Sequence, residues 1–240
     1  MTKISKDIIA NSGIVINQDK DLYSFNLDTI LLYNFVNPTK KGKLVDLCSG
    51  NGAIGLTLAS ETPVQIYLVE IQKQLADLAK LSIKENNLSE QVYSINDDLK
   101  NIQKYIDHDT VDTIVCNPPY FKSKSDTKLK DNPVLAIARH ELKTDLNEIL
   151  HNSMILLKQN AHIFMVYRPD RLSDLLTAMN NNMIQPKRIR FVRTQTDSIA
   201  NLVLVDAIKT IKSAALEVLP DLVMYDGDKL TKEAKDILNE

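Results

Sequence analysis

Asn117-Pro118-Pro119-Tyr120 puts an amide, two rigid rings and a phenol in four consecutive positions, directly after the apolar run Asp112-Thr113-Ile114-Val115-Cys116. Two successive prolines cannot extend a central strand, because each lacks a backbone donor and has a fixed φ. The strand therefore ends in a stiff turn, with an amide at its mouth and an aromatic ring beside it. Such a turn can hold a flat amide or amino-bearing group. The Asn117 side-chain carbonyl and the Pro118 carbonyl would accept its hydrogens while Tyr120 stacks on it. The plainer reading is a strand-to-loop turn with a solvent-facing Tyr, and a cofactor site upstream decides between the two.

Asp46-Leu47-Cys48-Ser49-Gly50-Asn51-Gly52-Ala53-Ile54-Gly55 is the candidate for that site. Glycines between a strand and a helix let the backbone approach a ligand and present amide donors. Gly50, Gly52 and Gly55 match the dinucleotide fingerprint, and Glu70 lies 20 residues past Gly50, where an acid accepts from ribose hydroxyls. This fragment alone leaves a nicotinamide enzyme, an S-adenosylmethionine enzyme and a purely structural turn open. Three further features favour S-adenosylmethionine. Asp46 precedes the glycines at the strand end, where it can meet the amino group of a methionine moiety. Asp98 follows the third strand, where an acid can take an adenine amino group, although Asp97-Asp98 also reads as a solvated turn or helix cap. The fourth strand ends in Asn117-Pro118, at the carboxyl edge where ligands bind in such sheets.

These residues need strands and helices to bring them together. Strand-like runs at Leu44–Cys48, Gln65–Glu70, Gln91–Asn96, Val111–Cys116 and Ala161–Tyr167 alternate with helix-like periodicity at Gly52–Ser60, Gln72–Asn86 and Leu146–Leu157. That alternation predicts an open, mostly parallel sheet wrapped by helices. Pro186–Arg193 and Leu202–Ile208 then read as a closing antiparallel hairpin, which brings the count to seven strands. Ahead of the core, Ile14-Val15-Ile16 and Leu22-Tyr23-Ser24-Phe25 are expected to pair as a small hairpin, with Asp28 capping a helix through Phe35. In the tail, Leu219–Tyr225 suggests a last extended piece before a polar helical end. Residues 1–42 thus read as an extension packed on a core of residues 43–240.

Hydrophobic content of 44% and charged content of 25% are ordinary for a globular chain of 240 residues. With a formal net charge of -2 and pI near 6.1, nucleic-acid contact would have to come from local basic patches. No apolar run approaches membrane-span length and no signal-type stretch follows Met1, so a cytoplasmic protein without membrane contact is expected. Cys48 and Cys116 fit reduced cysteines, and His108, His140, His151 and His162 lack metal-ligand spacing, so no metal is expected.

Leu44-Val-Asp-Leu-Cys-Ser-Gly-Asn-Gly52, Val69-Glu70-Ile71-Gln72, Asp98 and Asn117-Pro-Pro-Tyr120 together resemble the class I S-adenosylmethionine-dependent methyltransferases, in particular the amino-methylating group. Phe25-Asn-Leu-Asp-Thr-Ile-Leu-Leu32 and Ala138-Arg139-His140-Glu141 look like the bacterial tRNA(Val) adenine-N(6)-methyltransferases. One departure is Cys48, which stands at the first glycine of the usual acid-x-Gly-x-Gly-x-Gly pattern. The resemblance implies an α/β fold with a Rossmann-like, mostly parallel seven-stranded sheet, helices on both faces and an antiparallel C-terminal hairpin. It assigns the cofactor to Asp46, Cys48, Gly50, Asn51, Gly52, Glu70, Ile71, Asp98, Leu99 and Asn117, and the methyl transfer to Asn117, Pro118, Pro119 and Tyr120. The expected acceptor is the amino group of an adenine in RNA, most simply tRNA beside the anticodon.

Lys122 and Lys124 in a lysine-rich loop, Arg139, His140, Arg188 and Arg190 are the candidate substrate contacts, set against the reading that a charge run is only a solvated face. Arg188 and Arg190 alternate with Ile189 and Phe191 and so would share one strand face. The rivals are methylation of an rRNA base, of a protein glutamine amide or of DNA adenine, a non-catalytic cofactor-binding RNA adaptor, and a nicotinamide oxidoreductase. The short segment before residue 43 counts against the glutamine enzymes, which resemble this group but usually carry a helical amino-terminal domain.

Overall fold

The computed structural model describes residues 4–9, 12–19, 22, 24–118 and 145–238. Seven strands form the core sheet: β3 (Lys43–Leu47), β4 (Gln65–Val69), β5 (Val92–Ile95), β6 (Val111–Cys116), β7 (Leu157–Tyr167), β8 (Ile184–Gln195) and β9 (Ala200–Lys209). Their order is β8-β9-β7-β6-β3-β4-β5, parallel throughout except that β9 runs antiparallel to both β7 and β8. The expected hairpin is therefore present and longer than the sequence suggests. Three short strands extend the sheet past β8: β10 (Glu217–Val218), β11 (Leu222–Asp226) and β12 (Lys229–Leu230). The last apolar run becomes β11, and the polar tail becomes a helix, α6 (Lys232–Leu238).

Period-two alternation divides the core between the faces. In β3, Leu44 joins one apolar cluster while Val45 and Leu47 join the other; in β7, Phe164 and Val166 oppose Ile163, Met165 and Tyr167. The first face is covered by α1 (Leu27–Phe35), α2 (Ala53–Ala59), α3 (Lys73–Glu85) and α6. The second is covered by a 3₁₀ turn at Leu99–Lys104 and by α4 (Leu146–Leu156) and α5 (Leu172–Asn181). The sequence reading left α5 unassigned. Its signal is the helical spacing of Leu175, Ala178 and Met179, all buried against the sheet.

The amino-terminal expectation needs two corrections. The hairpin is formed by β1 (Ile4–Ile8) and β2 (Val15–Asp19), with Ile4 opposite Asp19 and Ile8 opposite Val15, not by 14–16 with 22–25. β1 was illegible because its side chains are mostly exposed and carry no alternation. The helix α1 is capped by Asn26, whose side chain accepts from the Thr29 amide, while Asp28 lies within the first turn.

α3 holds the hairpin through its side chains. Ser82 Oγ accepts from the Asn17 amide at 2.8 Å. Asn86 Oδ1 accepts from the Val15 amide at 2.9 Å, and its Nδ2 donates to the Val15 carbonyl at 2.8 Å. The side chain of Asn86 thus replaces a neighbouring strand. Asn86→Ala leaves that amide and carbonyl unpaired and is expected to lower unfolding free energy by about 1–3 kcal/mol in urea titrations.

Candidate active site

The strand order reverses at β3: the chain moves one way to β4 and β5, then returns to β6 and β7 on the other side. A crevice opens at such a switch point, outside the carboxyl ends of the strands. Leu47 pairs with Cys116 and with Val69, and Val69 pairs with Ile95. Hence Cys48, Glu70, Asn96 and Asn117 all leave their strands at one level of this edge. Asn117 is half-buried and Pro118 buried.

Alternation points the Asp46 side chain to the face that α2 covers, where only 1% of it remains exposed. Gly52 occupies the N-cap of α2 and has no side chain to cap it. Asp46 does so from the neighbouring strand: its Oδ2 accepts from the Gly55 amide at 2.9 Å. The packing also requires glycine. A Cβ on Gly55 would lie 2.3 Å from Leu68, and Gly52 has φ +82 with a Cβ position 2.7 Å from Leu68.

Glu70 braces the other end of the turn. Its Oε2 accepts from the Gly50 amide at 2.9 Å and its Oε1 from the Gln72 amide at 2.8 Å. The Ser49 amide donates to the Val69 carbonyl at 3.0 Å, so the turn is stitched onto β4 as well. Asn51 Nδ2 donates to the Asn17 carbonyl at 3.2 Å, which ties the amino-terminal hairpin to the same loop. Asn17 is fully buried here. Nothing in its type or spacing announced that.

Cys48 has φ +57, in the left-handed region that favours glycine. The departure at residue 48 is thus in chemistry and not in backbone shape. Asp98 accepts from the Lys100 amide at 3.0 Å and caps the 3₁₀ turn, while Leu99 is buried in the core and Ile71 is half-buried beside Glu70.

Among the described residues, buried side-chain oxygens without a partner include Asp46 Oδ1, Ser49 Oγ and Gln72 Oε1, all bordering this one turn. Unpaired buried acceptors are costly. Acceptors of this kind fit a bound group that brings an ammonium and hydroxyls, as a methionine-bearing nucleoside does. Burial is the main force on both acids. It pushes the Asp46 carboxyl up to about 7, against the pull of the Gly55 amide and with help from the charge of Glu70. It raises Glu70 as well, opposed by its amide donors.

Other predicted residues are not gathered here. Arg188 pairs with Asp206 at 2.8 Å, and Arg190 with Glu233 at 2.7 Å and the Pro220 carbonyl at 3.0 Å. Both lie on β8, with β7 and β9 between them and β6. Arg188, three strands away from β6, lines a cleft of about 600 Å³ with His162, Lys187 and Glu217. Pro119, Tyr120, Lys122, Lys124, Arg139 and His140 lie outside the described residues.

The raised Asp46 value has a stability consequence. The folded ligand-free protein keeps a proton that the unfolded chain releases above the ordinary value of 3.8. This contribution is complete below that value and is lost as pH rises through about 7. Unfolding free energy should fall between these limits, and Asp46→Asn should flatten that part of the profile, as read from denaturant midpoints at stepped pH.

The family model described as the methyltransferase small domain matches residues 24–170. The tRNA1(Val) (adenine(37)-N6)-methyltransferase of Photobacterium profundum is 25% identical over 191 residues, 78% of each chain. The protein of the same name from Trichodesmium erythraeum is 31% identical over 157 residues, 63% of each. The crystal structure of a predicted O-methyltransferase from Agrobacterium tumefaciens superposes with a TM-score of 0.70 at 17% identity, covering 89% of this chain and 96% of its own, which shows a shared fold. A glycine turn braced by two buried carboxylates at the switch point of a parallel sheet and a family match across that sheet lead to one conclusion: the chain belongs to the methyltransferase small domain family and is an S-adenosylmethionine-dependent methyltransferase.

Proposed function

We propose that the chain methylates the exocyclic amino group of an adenine in RNA, most simply in tRNA beside the anticodon. The carrying observation is that Asn117-Pro118 leaves β6 at the switch point, next to the turn that Asp46 and Glu70 hold. The names of the relatives support the same acceptor and the same nucleic acid.

S-adenosylmethionine supplies an electrophilic methyl group when bound. Asp46 Oδ1 is the acceptor for its ammonium. Glu70 spends one lone pair of each oxygen on the turn and retains acceptor capacity for ribose hydroxyls. Asp98, at the end of β5, is the acceptor for the adenine amino group of the cofactor. On the acceptor side, an adenine amino nitrogen is a poor nucleophile because its lone pair is delocalised into the ring. Asn117 Oδ1 and the Pro118 carbonyl hold its two hydrogens and favour positive charge developing on nitrogen. No strong base is needed. Stacking on Tyr120 contributes about 1–3 kcal/mol, which offsets much of the cost of unstacking a nucleotide.

Incubating the protein with labelled S-adenosylmethionine and separate pools of tRNA, rRNA and protein should label tRNA. Label confined to protein would overturn the RNA reading. Asn117→Ala is expected to remove nearly all transfer in single-turnover assays while cofactor affinity by calorimetry changes by no more than roughly threefold, because the lost contacts are made to the acceptor. Cofactor binding should release protons near pH 6, because an ammonium beside Asp46 draws its carboxyl down from about 7. The release would be read from the buffer dependence of the binding enthalpy and should vanish in Asp46→Asn.

A further inference from the structure

Cys48 and Cys116 end up side by side. Leu47 pairs with Cys116 across β3 and β6, so Cys48 is one residue beyond a registered neighbour. Strands lie about 4.8 Å apart and consecutive Cα atoms 3.8 Å, which puts the two cysteine Cα atoms roughly 6 Å apart, inside the range that disulfides span. Cys48 packs against the apolar cluster that contains Cys116, and its thiol is near enough to act on that of Cys116. Both are free, Cys48 half-exposed and Cys116 fully buried. Burial, the Cys48 thiol and the Asp46 charge hold the Cys116 thiol well above its usual range, so it stays protonated. The first reaction with an oxidant therefore falls to Cys48, the less buried of the two residues.

We propose that Cys48 and Cys116 form a reversible dithiol modification site that peroxide closes into a disulfide, halting transfer at this edge. Cys48 Sγ attacks a peroxide oxygen, the O–O bond breaks, and water leaves a sulfenic acid on Cys48. The Cys116 thiol then passes its proton to the sulfenic hydroxyl as its sulfur bonds to the Cys48 sulfur, the S–O bond breaks, and a second water leaves. Two thiols and one hydrogen peroxide become one disulfide and two waters. Closing the pair to a bonded S–S distance of about 2.05 Å drags the Cys48–Gly50 turn toward the root of Asn117. Displacements of about 1 Å at a reacting centre can cost on the order of 10²-fold in rate. The loss of activity rests on the reading that this edge carries methyl transfer; the bond itself does not.

The test treats the reduced protein with hydrogen peroxide and maps its peptides by mass spectrometry, with RNA methylation assayed in parallel. The expected result is a Cys48–Cys116 disulfide, a tenfold or greater loss of transfer, and recovery with dithiothreitol. Cys116→Ala and Cys116→Ser should transfer within about twofold of the native rate before peroxide; after it their Cys48 stops at the sulfenic acid with no bond across the strands, and their loss of transfer should be clearly smaller than that of the native protein. Native protein whose two cysteines remain unlinked under peroxide overturns the proposal, as does equal inactivation of the Cys116 variants. Because the bond is read by mass, a reduced protein that labels no RNA counts against the RNA reading alone.

Discussion

Asp46 and Glu70 hold the turn between β3 and α2 from two neighbouring strands, and the rest of the site depends on that brace. A seven-residue helix begins at Gly52 with no capping side chain of its own, and Asp46 supplies the missing acceptor to the Gly55 amide. Glu70 takes the Gly50 and Gln72 amides. Burial raises both carboxyl groups, and the charge of Glu70 adds to the effect on Asp46. The cost is tolerated because each oxygen engaged satisfies a backbone amide that would otherwise be orphaned. Among the described residues one oxygen of the brace, Asp46 Oδ1, has no hydrogen-bond partner.

The sheet order decides what faces the turn. Because β6 returns beside β3, the strand ending in Asn117-Pro118 emerges next to Cys48, although nearly seventy positions separate them in the chain. The same order keeps Arg188 and Arg190 away, out on β8, where Asp206 and Glu233 neutralise them. Through these pairs Arg188 joins β8 to β9 and Arg190 joins β8 to α6.

Cys48 shows how a departure in sequence can leave geometry intact. At φ +57 it adopts the conformation a glycine would take. A side chain at that position must go somewhere, and it packs against Cys116 on the second face of the sheet. Replacing hydrogen by a sulfanylmethyl group therefore adds a contact between the two motif-bearing segments that a glycine could not make.

Most of the fold was legible in local pattern. The alternation of strand and helix periods between residues 44 and 167, and the hairpin after it, follow from burial on a sheet with two covered faces. The glycines, Asp46, Glu70 and Asn117-Pro118 were legible because turn conformation and strand termination are properties of single residues and short spacings. Tertiary structure alone decided the partners. It set β1 against β2, because exposed strands leave no alternation to read. It buried Asn17 beside the glycine turn, paired the β8 arginines with acids from distant segments, and brought Cys48 onto Cys116. Each of these depends on which strands become neighbours, a choice made by packing the whole sheet and not written in any one stretch of the chain.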